Sequence, residues 1–158
     1  MGYTTEFKGK FLLNKALDQE TYNFLKKLSE TRRMKRNVSL LPEGYEKYNL
    51  ENWGEEGEFF VDAGGLCGQD RESSIVDYNT PPITQPGLWC HWTPTEDKLA
   101  IKWDDGEKFY DYIEWIEYLI DKILKPRKYK LNGTVQWRGE EFDDIGEIQI
   151  KNNKVKIK

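Results

Sequence analysis

LWCHWTPTEDKLAIKWDDGEKFYDYIEWIEYLIDKILKP, residues 88–126, carries both hydrophobic periods of protein structure in one stretch. Leu88, Cys90 and Trp92 alternate, and so do Leu99, Ile101 and Trp103, with the turn-rich Pro94-Thr95-Glu96-Asp97 between them. That pattern predicts an antiparallel hairpin of Leu88–Trp92 with Lys98–Trp103. From Asp104 the period lengthens: Phe109, Ile113, Ile116, Ile120 and Ile123 recur in steps of three and four, the stripe of an amphipathic helix. Asp104 is placed to cap it, with Glu107 in capping-box spacing, and Pro126 to stop it.

The flanks extend the same alternation. Tyr3, Thr5, Phe7, Phe11 and Leu13 point one way while Thr4, Glu6, Lys8 and Lys10 point the other, which predicts a half-buried strand. Asp18 caps a helix over about 19–31, stapled by Leu17 and Tyr22, with Phe24, Leu25 and Leu28 facing inward. Tyr129–Arg138 reads as a strand, and Gly146–Lys151 and Lys154–Lys158 as a hairpin turning at Asn152-Asn153. Between the halves, about 37–87 is broken by glycine and proline except for a short strand at Glu58–Asp62. A segment that long is the expected carrier of function. The order predicts an α+β domain, 1–158: an antiparallel sheet with two amphipathic helices on one face, in a ferredoxin-like arrangement with an added C-terminal β-hairpin.

Composition narrows the class. Aromatics at 14% supply a core, no apolar run approaches the roughly 20 residues of a membrane span, and no basic-then-apolar leader opens the chain. Two cysteines, Cys67 and Cys90, are too few for a disulfide framework, so the expected compartment is the cytoplasm. The net charge of −4 is uneven: residues 1–37 carry +5, 38–123 carry −13 and 124–158 carry +4. The acidic middle argues against wrapping an extended nucleic acid with the whole surface and leaves room for a small basic patch.

Chemistry is sparsely signalled. His91 is the only histidine, and strand geometry turns it away from its neighbour Cys90, which argues against a Cys-His nucleophile pair. Asp104-Asp105, Glu140-Glu141 and Asp143-Asp144 fit turns and caps, and Gly64-Gly65-Leu66-Cys67-Gly68 lacks the lysine of a phosphate loop. No catalytic set, metal site or cofactor motif is expected. Two features carry more. Arg32, Arg33, Lys35 and Arg36 crowd the end of the first helix, where cations complement the macrodipole and paired arginines also grip phosphates or carboxylates. Downstream, Asn79-Thr80-Pro81-Pro82-Ile83-Thr84-Gln85-Pro86 stiffens the approach to Trp89, which shares a strand face with His91 and offers a stacking surface unless the long segment covers it. The candidate binding residues are Arg32, Arg33, Lys35, Arg36, Asn79, Gln85, Trp89 and His91.

Gly2-Tyr3-Thr4-Thr5-Glu6-Phe7, Ser29 to Arg36, Gln85 to Cys90, Glu107-Lys108-Phe109-Tyr110 and Leu131-Asn132-Gly133 together resemble a family of small uncharacterised proteins found in bacteriophages and bacterial genomes. The resemblance spans most of the chain. It implies an accessory protein acting in bacterial host cytoplasm, of a kind that works by binding. The leading expectation is a non-catalytic, counter-defence protein that sequesters an anionic small molecule, phosphorylated or nucleotide. The alternatives are an inhibitor or adaptor binding a host protein through acidic and aromatic surface, and a phosphoesterase.

Overall fold

The computed structural model describes residues 2–33, 35–36, 75–77 and 79–158. The expected strand at Glu58–Asp62, Cys67 and the glycine run at 64–68 lie outside the described residues. The elements are β1 (Glu6–Leu13), α1 (Gln19–Glu30), β2 (Lys35–Arg36), β3 (Ile75–Asp77), β4 (Trp92–Pro94), β5 (Ala100–Trp103), α2 (Tyr112–Tyr118), β6 (Leu131–Arg138), β7 (Ile145–Lys151) and β8 (Lys154–Ile157). The class is α+β. Six strands form one sheet in the order β4-β5-β1-β6-β7-β8, antiparallel throughout, and β2 and β3 form a small separate pair.

Alternation places β1 at the centre. Phe11 and Leu13 are buried while Lys10 and Leu12 are exposed, and Phe11 lies opposite Ile101 on one side and Gly133 on the other. Gly133 takes φ +136°, and a Cβ there would come within 2.9 Å of the Lys10 carbonyl, so glycine lets the two central strands close. Asp18 caps α1 as its spacing predicts: the Thr21 N–H donates to Oδ1 at 2.7 Å, and Tyr129 Oη donates to Oδ2 at 3.0 Å. Helices and sheet share one apolar cluster, with Phe24, Leu25 and Leu28 of α1 and Trp115 and Ile116 of α2 against Phe11, Leu131, Val135 and Ile148. At one end aromatic rings interlock: Phe7 meets Trp92, Trp103 and Tyr112 with centroids 5.0–5.4 Å apart, edge to face, a geometry that adds direction to burial.

Two boundaries differ from expectation, each for a local reason. The hairpin pairs Trp92 with Trp103 and Pro94 with Ile101, so the first strand begins where Leu88–Trp92 was expected to end. Leu88 is engaged elsewhere, its carbonyl accepting from the Arg33 N–H at 2.7 Å, and Pro94 is tolerated because β4 is an edge strand. The second helix starts at Tyr112, after Asp111, whose side chain makes no capping hydrogen bond. Lys108 and Asp111 both take left-handed φ of 57°, which interrupts a helix before that point, so Phe109 reaches the core from a loop. Past Tyr118 the helix widens into a π-helical stretch, Leu119–Leu124, and tightens into a 3₁₀ turn, Lys125–Arg127, which contains Pro126.

Candidate functional site

Helix α1 ends when Thr31 turns extended, and the chain beyond runs beside the proline-rich segment. The Arg33 N–H donates to the Leu88 carbonyl and the Lys35 N–H to that of Thr80, at 2.7 and 2.8 Å, so the cationic stretch and residues 79–88 are bound backbone to backbone. The side chains then diverge. Arg33, 2% exposed, turns inward and donates from Nε to Gln85 Oε1 at 2.9 Å, with Gln85 itself buried. Arg32 stays on the surface side and donates from Nη2 to Asn79 Oδ1 at 3.1 Å. Asn79 is fixed in turn, because the Asp77 carboxylate accepts its backbone N–H at 2.9 Å and the Thr80 hydroxyl at 2.8 Å. Those two hydrogen bonds, with Lys35 nearby, hold the Asp77 carboxyl below its ordinary value. Lys35 is exposed on β2, and the Arg36 side chain lies outside the described residues.

Arg32 and Asn79 form one wall of a groove of about 620 Å³, within the size range of small-molecule sites. Pro86 to Trp89, His91, Glu107, Lys108, Tyr110 and Asp111 also line it. Trp89 is half-buried and lies nearly parallel to the His91 ring, with centroids 6.2 Å apart. His91 rests edge-on against Phe109 at 5.1 Å, and its Nδ1 lies 3.0 Å from Asp104 Oδ1 and 3.1 Å from Oδ2. Asp104 also accepts the Gly106 N–H at 2.8 Å. A Cβ at Gly106 would collide with the imidazole, so that loop closes on His91 only with glycine there.

Of the residues singled out in the sequence, the groove thus gathers Arg32, Asn79, Trp89 and His91, while Arg33 and Gln85 brace its frame from beneath. Glu107, Lys108, Tyr110 and Asp111 join the lining, and Asp104 partners the histidine, without being singled out by the sequence pattern. The spacing of Asp104 and Glu107 fits a helix cap, but Asp105, Lys108 and Asp111 take left-handed φ within one short loop, and such strain gathers at functional sites. Asp and Gly at 104–106 ahead of a polar run was the available signal.

Two chemistries are bounded by the same geometry. Cys90 is fully buried, and burial pushes its thiol up to about 12, so at neutral pH it is neither nucleophile nor metal ligand. No group of three His, Cys, Asp or Glu side chains among the described residues is arranged to hold a metal ion. Among those residues no helix is long and apolar enough to cross a membrane. No family model, curated protein or solved structure matches the chain.

Proposed function

We propose that the groove between residues 79–91 and 104–111 binds a phosphorylated small molecule, a nucleotide or related metabolite, and that the protein acts by sequestering it. The observation that carries this reading is that Arg32 and Trp89 line the same groove. A guanidinium held by Asn79 is suited to phosphate oxygens, and an indole braced by a parallel imidazole is suited to a planar base. Glu107 and Asp111 in the same lining are acceptors of the kind that bind ribose hydroxyls, and Lys108 adds a second cation. Mixed charge favours a ligand with both anionic and hydroxyl groups over a bare anion.

We extend the proposal to the surroundings. The run β6-β1-β5-β4, with α1 and α2 as crossovers, supports a ferredoxin-like core with both helices on one face and β7–β8 added at its edge. A bacterial cytoplasmic setting and a phage counter-defence role follow from the sequence resemblance alone.

One observation favours a second reading, a phosphoesterase: the Asp104–His91 pair orients an imidazole toward general acid–base work. A thermal-shift screen against nucleotides, cyclic dinucleotides and sugar phosphates, followed by analysis of the ligand after incubation, separates the readings. A ligand at about 100 times its dissociation constant adds roughly 2.7 kcal/mol of stability. Recovery of the ligand intact supports sequestration, and its hydrolysis supports the enzyme. A flat response across the panel rejects both and turns attention to a host protein partner.

A further inference from the structure

The side of the sheet that points away from Phe11 and Val135 is charged in a way the groove does not use. Cross-strand register aligns Lys102, Lys10, Thr134, Gln149 and Lys156 in one row over five strands, and Lys8, Gln136 and Glu147 in the next. Arg138, Lys151, Lys154 and Lys158 stand around these rows, so among the described strand residues eight exposed cations share the face with two acids, Glu6 and Glu147. Glu147 is engaged by amides, accepting from Gln136 and Gln149, and none of the eight cations makes an ion pair among the described residues. Asp97, in the β4–β5 turn, has its carboxyl held below its ordinary value by the Thr95 hydroxyl and the Leu99 N–H, with Lys10 a lesser influence.

Lysines on the edge strand β8 have a structural reason, since they discourage edge-to-edge pairing. That reason does not reach the sheet's interior, where Lys10 on the central strand lies directly opposite Lys102. Like charges directly opposed on one face destabilise a sheet, so the pair works against the fold. Alternate residues on a strand are about 6.6 Å apart and adjacent strands about 4.8 Å, which sets these cations out in rows suited to a phosphate backbone. Among the described residues Leu12 and Ile145 are the large apolar side chains exposed on this face, too few to insert into a bilayer, and Trp103 and Trp137 line a pocket together with Lys8, Gln136 and Arg138 at one end of it.

We propose that this open face of the sheet binds nucleic acid through its phosphates, without sequence preference and independently of the groove. Seven of the eight cations come from the two basic ends of the chain, 1–37 and 124–158, which the sheet brings onto one face.

The test is fluorescence anisotropy of a labelled oligonucleotide of about 20 nucleotides, single-stranded and duplex, with the full chain over a salt series. If about five phosphates are neutralised, log K falls with log salt at a slope near −3.5 for a single strand and near −4.5 for a duplex. Lys10→Glu carries the sharper expectation. It should weaken binding at least fivefold at 50 mM salt and also raise Tm, because it turns a like-charged cross-strand pair into an opposite-charged one. Lys156→Glu, opposite the neutral Gln149, should also weaken binding, at unchanged Tm. Nucleotide saturating the groove should leave the oligonucleotide affinity unchanged. Absence of binding at 50 mM salt, indifference to these variants, or capture by anionic vesicles in place of oligonucleotide would each overturn the proposal. So would self-association of the chain through this face in sedimentation.

Discussion

His91 and Asp104 face each other with Nδ1 within 3.1 Å of both carboxylate oxygens, although Asp104 itself does not line the groove. A carboxylate at Nδ1 fixes the proton there and leaves Nε2 as the nitrogen available to a ligand, as an acceptor while the ring is neutral. Asp104→Ala removes that anchor together with the acceptor of the Gly106 N–H. The expected loss is about 1–2 kcal/mol in urea unfolding, two part-buried hydrogen bonds at about 1 kcal/mol each. Nitrogen-15 spectra of the imidazole should move from the Nδ1–H tautomer toward Nε2–H. An unchanged tautomer would mean that Asp104 does not orient the ring.

Arg33 and Gln85 test whether the groove's frame is separable from its lining. Their hydrogen bond joins the end of α1 to the proline-rich segment, and both side chains are buried. Gln85→Ala takes an acceptor from a buried guanidinium and should cost about 1–3 kcal/mol of stability. Under conditions where the variant remains folded, ligand affinity should fall by less than about threefold, because neither side chain lines the groove. A larger loss of affinity with no loss of stability would put these two residues in contact with ligand.

Acid sensitivity should report the cap of α1. Partial burial works against ionisation of Asp18. Hydrogen bonds from the Thr21 N–H, the Tyr129 hydroxyl and the Thr21 hydroxyl, with Arg127 nearby, outweigh that cost and hold the carboxyl below its ordinary value. A depressed folded-state pKa contributes stability that is present above the unfolded value, about 3.9, and is lost as pH falls through the folded one. Asp18→Ala should therefore cost about 1 kcal/mol at pH 7. That gap should hold down to about pH 5 and close below about pH 4. A gap independent of pH would show that the charge on the cap contributes nothing.

Regular periodicity was legible and loop geometry was not. Strands β1, β6, β7 and β8 and helix α1 follow from alternation, a cap and the Asn152-Asn153 turn, whose φ values of 47° and 70° are those of a tight hairpin. Leu88 to Cys90 alternate as a strand does, yet the Arg33 backbone holds Leu88, a competing bond across a sequence gap that no local pattern reveals. The side shared by Trp89 and His91 was readable from residue spacing alone. Asp104 beside His91 was not, because the contact depends on a loop of left-handed residues whose local pattern also fits a helix start.

Calorimetric titration of one nucleotide and its dephosphorylated nucleoside into wild type, Arg32→Ala and Trp89→Ala tests the central claim most directly. The account predicts that Trp89→Ala weakens both ligands about tenfold, a stacking contribution of roughly 1–3 kcal/mol. Removing the phosphate should cost wild type at least tenfold in affinity and cost Arg32→Ala little. Equal affinity of all three proteins for nucleotide, or a phosphate contribution that survives intact in Arg32→Ala, would contradict it.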